Sequence, residues 1–137
     1  MEYNSENCRS NCPINFVVET FGDKWTLLVI RDLMFKGKRY YGEFLKSAEI
    51  ISTNILADRL LRIENHGVIT KQKDPEHKSK FIYSLTLKGK ALLPIMLEIT
   101  QWSGTYDALT NTPKGFMEAL KGDKEAVKEG VLAGLDK

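Results

Sequence analysis

Ser52-Thr53-Asn54-Ile55-Leu56-Ala57-Asp58-Arg59-Leu60-Leu61-Arg62-Ile63-Glu64-Asn65-His66-Gly67 is the stretch that decides the fold. A serine suits a helix N-cap, because its hydroxyl accepts from a free first-turn amide, and His66-Gly67 suits a helix stop. Between them Leu56, Leu60 and Ile63 fall in one narrow stripe at 100° per residue, so a helix ending at Asn65 buries that stripe. Asn54, Asp58 and Asn65 fall opposite, with Thr53, Ala57 and Arg62 on the flanks. The N-terminal half of the exposed face is small and polar.

Upstream, Tyr40 to about Ser47 reads as a short helix with Tyr41, Phe44 and Leu45 inward. Two helices joined by a tight turn make a helix-turn-helix pattern. Downstream, Val68–Lys73 and Lys80–Leu85 read as strands joined by Asp74-Pro75-Glu76-His77-Lys78-Ser79, with Phe81, Tyr83 and Leu85 inward. A hairpin with a basic tip directly after a helix-turn-helix makes a winged helix. The expected fold class is mainly α with a small β-hairpin wing (α+β).

Farther out, Pro13 suits a first helical position, with Ile14, Val17, Val18 and Phe21 on one apolar face and Gly22 just past the end. Asp23 then caps a helix from Lys24 to Phe35 that is apolar almost all round and belongs in the core. Thr86 caps a later helix carrying Leu92, Met96, Ile99, Trp102 and Tyr106, which Pro94 is expected to kink. Thr112-Pro113 opens a short helix with Phe116, Met117 and Leu120, and Gly122-Asp123 separates it from a last helix with Ala126, Val127 and Val131. The organisation expected is an arm over 1–11, a winged-helix domain with flanking dimerisation helices over 12–109, and a helical extension over 110–137.

At 137 residues the chain has room for one ordinary domain. No apolar run reaches the ~18 residues needed to span a bilayer, and Met1 to Cys12 is polar, so a cytoplasmic protein is expected. Residues 36 to 80 hold ten basic and six acidic side chains, while residues 1 to 35 are net acidic. The positive excess therefore sits over the helix-turn-helix and wing, the footprint of a nucleic-acid surface or of solvated loops. His66 and His77 lack the cysteine pair a zinc site needs, so no metal is expected. Without a nucleophile elbow, phosphate loop or cofactor motif, the sequence points away from an enzyme.

Ser52, Thr53, Asn54, Ala57 and Asp58 are the candidates for a major-groove face. Asn54 can pair with adenine, and Asp58 can accept from a cytosine amino group or else orient Arg59 or Arg62. Lys36, Lys38, Arg39 and Tyr40, with His77, Lys78 and Lys80 of the wing, suit phosphate contacts that position without reading sequence. Trp25, Trp102 and the Leu92/Met96/Ile99 stripe read as core or interface, with a small-molecule pocket as the second reading. A winged-helix adaptor without DNA is the alternative function, but an adaptor is expected to lose the basic wing and polar face kept here.

Cys12-Pro13-Ile14, Gly22-Asp23-Lys24-Trp25-Thr26-Leu27-Leu28, Arg39-Tyr40-Tyr41-Gly42-Glu43-Phe44, Ile51 to Leu60, Tyr83-Ser84-Leu85-Thr86 with Lys88-Gly89, and Trp102 carry a resemblance. Over about residues 12 to 103 the sequence resembles the HxlR-type winged helix-turn-helix transcription regulators, relatives of the MarR group. The family often has Pro-Gly where this chain has Glu49-Ile50, and often Arg or Lys at Asn54. The resemblance implies a regulator of double-stranded DNA that works as a homodimer on a pseudo-palindromic operator. Its first and long later helices would build the dimer, through Ile14, Val17, Val18, Leu92, Met96, Ile99, Trp102 and Tyr106. It also implies a redox or electrophile sensor at Cys12, where an N-cap sulfur would face free N–H groups and the positive end of a helix dipole. Cys8 is the candidate resolving thiol.

Overall fold

The computed structural model describes residues 9–136, so Cys8 lies outside the described residues. They form eight helices and one antiparallel hairpin in two compact units, the first ending at Gly89 and the second starting at Lys90. No helix among them is long and apolar enough to cross a membrane.

The first unit contains α1 (Pro13–Phe21), α2 (Thr26–Phe35), α3 (Tyr41–Phe44), α4 (Thr53–Asn65), β1 (Ile69–Lys73) and β2 (Phe81–Leu85), and ends within the short α5 (Leu87–Lys90), whose last residue, Lys90, opens the second unit. Ser52 is the N-cap of α4 and its hydroxyl accepts from the Ile55 amide at 3.3 Å. Gly67 turns the chain into β1 with φ +75°, a conformation that costs glycine little. Leu56, Leu60 and Ile63 are all buried, beside Ile30, Leu33 and Met34 of α2, Phe44 of α3, and Val68, Ile69 and Tyr83 of the hairpin. The strands pair with Ile69 opposite Leu85 and Lys73 opposite Phe81. Along the free edge of β2, the Tyr83 amide donates to the Arg39 carbonyl at 2.9 Å. That bond fastens the approach to α3 onto the wing.

A charged node lies inside this unit. Asp32 is 2% exposed. Its carboxylate accepts from the Arg31 guanidinium at 2.8 and 3.0 Å, from Lys38 Nζ at 3.2 Å and from the Ser47 hydroxyl. A buried carboxylate is tolerated only with such partners. Arg31 also forks onto Glu49 at 2.7 and 2.9 Å, so α2 grips the turn between α3 and α4 from one side.

Four expectations change. The helix expected over Tyr40 to Ser47 is only Tyr41–Phe44, because Ser47 turns back to bond Asp32 and the Phe44 carbonyl. The α2 helix starts at Thr26, and Asp23 caps it from just outside, accepting from the Trp25 and Thr26 amides at 2.7 and 2.9 Å. Pro94 kinks nothing. The chain breaks after α5, and Pro94 sits in the first turn of α6, where a missing N–H has no partner to lose. Phe81 shares the face of Tyr83 but is not buried with it: it is 38% exposed near the hairpin tip, with Lys71 Nζ over its ring at 4.3 Å.

The second unit consists of α6 (Leu93–Tyr106), α7 (Lys114–Gly122) and α8 (Lys124–Leu135). Leu93, Met96, Leu97 and Leu120 are buried. Ion pairs of Lys124 with Glu98 and of Lys90 with Asp136 (2.8 Å) tie α8 to the segment leading through α6.

Gly89 supplies a stability test. A Cβ there would lie 2.2 Å from the Val68 carbonyl oxygen, a backbone atom that cannot swing aside. Gly89→Ala is expected to cost about 2–3 kcal/mol. It should lower the urea midpoint with little change in slope.

Candidate nucleic-acid interface

The outer face of α4 is set by the burial of its inner one. With Leu56, Leu60 and Ile63 inward, Thr53, Asn54, Ala57, Asp58 and Leu61 are left exposed. The face begins at the capped N-terminus, where Tyr41 Oη also donates to the Thr53 carbonyl at 2.6 Å. Side chains there are short, so a duplex can approach the backbone closely.

Beside this face stands the wing. Its tip is tightened by the Asp74 carboxylate accepting from the Glu76 amide at 2.9 Å and by the Lys80 amide donating to the His77 carbonyl at 2.8 Å. Tyr40 Oη donates to the buried Asp74 at 2.8 Å, and Lys80 Nζ lies 5.6 Å from the Tyr40 ring. A bond from the Glu76 amide and one from Tyr40 hold the Asp74 carboxyl below the ordinary carboxylate range. His77, Lys78 and Lys80 are exposed. Between α3, α4 and the wing runs a groove of about 650 Å³, lined by Tyr41, Lys46, Ala57, Leu61, Lys71, Lys80 and Phe81 among others.

The structure divides the other sequence candidates. Lys36 is exposed just past α2. Lys38 faces inward, bonded to Asp32 and, at 2.9 Å, to Ser47. Arg39 reaches Ser84 at 3.2 Å across the wing. Arg59 and Arg62 are on the flank of α4 that faces Asp23, at 3.1 and 3.5 Å, and Arg62 also donates to the Glu19 carbonyl at 3.0 Å. The Arg59 guanidinium donates to the Asp58 carboxylate. Lys46 and Lys71 were not legible as groove residues. Lys71 stands opposite Tyr83, a register that places it on the face of Phe81, and only the strand pairing reveals it.

The apolar candidates also divide. Ile14 is 75% exposed on α1, and Val17 and Val18 are exposed with it. Of the α6 stripe, Met96 is buried in its own unit and Leu92 is half-buried, whereas Ile99, Trp102 and Tyr106 are exposed. Ile95 shares that exposure. The Trp102 and Tyr106 rings lie 5.6 Å apart. Leu93, Met96 and Leu97 form the inner face of α6, and the outer stripe is Ile95, Ile99, Trp102 and Tyr106. Cys12 is the N-cap of α1; its thiol is exposed and makes no cap bond.

Residues 20–110 match the family described as HxlR-like helix-turn-helix. The chain belongs to the HxlR-like helix-turn-helix family. The family match starts past Cys12. A helix-turn-helix-type transcriptional regulator of Synechocystis sp. (strain PCC 6803) is 40% identical over 86 residues, 63% of each chain. The Bacillus subtilis regulator YodB is 32% identical over 96 residues, 69% of this chain and 85% of its own. Solved structures of the same fold include PA1607, a candidate transcription factor, with a TM-score of 0.66 and 36% identity over 77% of this chain and 72% of that one. The redox regulator HypR in its reduced form gives 0.62 and 29%, over 72% and 97%. Quinone-bound YodB from B. subtilis gives 0.58 and 29%, over 69% and 100%.

The Asp23 link has a pH signature. Burial pushes its carboxyl up, but bonds from the Thr26 hydroxyl, the Trp25 and Thr26 amides and Arg59 outweigh it and hold the pKa at about 2, below the ordinary 3.8. A folded pKa below the unfolded one stabilises above pH 3.8 and loses that contribution as pH falls toward 2. Asp23→Asn is expected to cost about 1–3 kcal/mol at pH 7. The gap to wild type should shrink through that window, read from urea midpoints at stepped pH.

Proposed function

We propose that this chain is a sequence-specific regulator of double-stranded DNA, acting as a homodimer and responding to thiol oxidants through Cys12. The observation that carries the DNA reading is the exposed polar face of α4 beside a basic wing, in a unit whose other α4 faces are buried or ion-paired. Thr53, Asn54 and Ala57 address base edges, with Ser52 and Asp58 shaping the two ends of that face. Lys36, Lys78 and Lys80 contact phosphates, joined by His77 of the tip and by Lys46 and Lys71 at the groove. Arg59 and Arg62 serve the fold through Asp23, and Lys38 serves it through Asp32.

Homodimerisation rests on the exposed apolar residues of α1 and α6, which are more apolar than a solvated helix face needs to be. Residues 12–109 make up the DNA-binding and dimerising part, and 110–137 an extension. A two-fold dimer places two recognition helices about 34 Å apart, one turn of duplex. Selection from a random duplex library should therefore recover a pseudo-palindrome; recovery of random sequence would overturn the reading. Asn54→Ala should relax preference at one position per half-site. Lys78→Ala or Lys80→Ala should weaken all duplexes alike and reduce the salt slope by about 1.

Support for the oxidant response is the exposed thiol of Cys12 at the start of α1, beside relatives described as a redox regulator and as quinone-bound. An exposed thiol is open to coupling with a second thiol as a disulfide. On α1, such a bond would shift a helix proposed to hold the dimer. Diamide should lower operator affinity of the wild type at least tenfold and leave Cys12→Ser unaffected. Equal loss in both proteins would exclude Cys12 as the sensor.

A further inference from the structure

Ile50 is the residue that least fits its own backbone. It alone among described non-glycine residues has a positive φ, +58°. A β-branched side chain is strained in that region, whereas glycine or asparagine enters it readily. Burial gives nothing back, because the Ile50 side chain is 81% exposed.

The surrounding turn holds the conformation without using that side chain. Arg31 grips Glu49 on one side. The Ile50 amide donates to the Ser47 carbonyl at 3.0 Å, and Ile51 is buried on the other side. Glycine at position 50 would keep all three contacts. Strain maintained at an uncovered side chain points to a contact made outside the free protein.

The position of the side chain limits the partner. Ile50 stands two residues ahead of the Ser52 cap, at the end of α4 proposed to enter the major groove. Isoleucine cannot hydrogen-bond a base edge or a phosphate. In the major groove the apolar group that distinguishes one base from another is the 5-methyl of thymine. We propose that Ile50 is a specificity-determining residue that packs on a thymine methyl at one position of each operator half-site. The proposal rests on the reading of α4 as a recognition helix.

The test uses the full chain and the operator recovered by library selection, with each thymine replaced in turn by deoxyuridine, which lacks only the methyl. Wild type is expected to lose about 5-fold in affinity at one thymine per half-site. Ile50→Gly and Ile50→Asn should bind the unmodified operator about 5-fold more weakly, ignore deoxyuridine at that position and keep the salt slope. Ile50→Val should retain the discrimination. Ile50→Asn should also melt a few degrees higher than wild type as the strain is relieved. Wild-type indifference to every deoxyuridine, or an Ile50→Asn protein that still discriminates, would overturn the assignment. A lower melting point for Ile50→Asn would overturn its strain premise. Failure to select any operator would instead bring down the DNA reading, and this proposal with it.

Discussion

The buried carboxylate of Asp32 is the interaction on which the first unit depends. A charge in the core demands partners from whatever surrounds it, and here they come from three places in the chain. Arg31 lies beside it on α2, Lys38 follows that helix, and Ser47 follows α3. Apolar packing fills the space between α2, α3 and α4 but has little directionality. The polar node supplies direction, because each donor must meet a particular lone pair. Through Arg31 the same node reaches Glu49, whose carboxyl that guanidinium holds at about 2 although burial pushes the other way. The loop ahead of α4 is thereby fixed relative to the core.

What the sequence made legible follows from the range of the forces involved. Ser52, Gly67 and the Leu56/Leu60/Ile63 stripe act within a few residues of themselves, and the helix they predict is the helix observed. The hairpin was also legible, since its turn residues and alternation are local. Pro94 and the short α3 were misread because a period alone cannot say where a helix stops when a better bond is available nearby. Phe81 obeys the alternation, yet it stands near the end of a hairpin where no core reaches it. Lys71 then covers the ring.

The candidate site was legible as a region and less so as a set of side chains. Position on the helical wheel placed Asn54 and Ala57 outward. It gave no sign that Arg59 and Arg62 would be taken up by Asp23, 36 and 39 positions earlier. Lys38 shows the same limit, since its partners were not recognisable before α2 and the turn after α3 came together. Basic residues in a basic segment read alike until their counterions are known. The stripe on α6 was displaced because Leu93, Met96 and Leu97 pack within its own unit, which leaves Ile99, Trp102 and Tyr106 outward.

Arg59 and Arg62 are matched by Asp23 and Asp58, which leaves α4 near neutral, while amines stand at the wing and the groove margin. Under the proposed function, search and reading then belong to different elements. Attraction to the polyanion is long-ranged and falls with ionic strength, and it resides in the peripheral lysines. Shape and hydrogen-bond matching act at contact distance and reside in the near-neutral helix. Such a protein can diffuse along non-cognate duplex, tethered by its wing, without its reading head being trapped on each phosphate it passes.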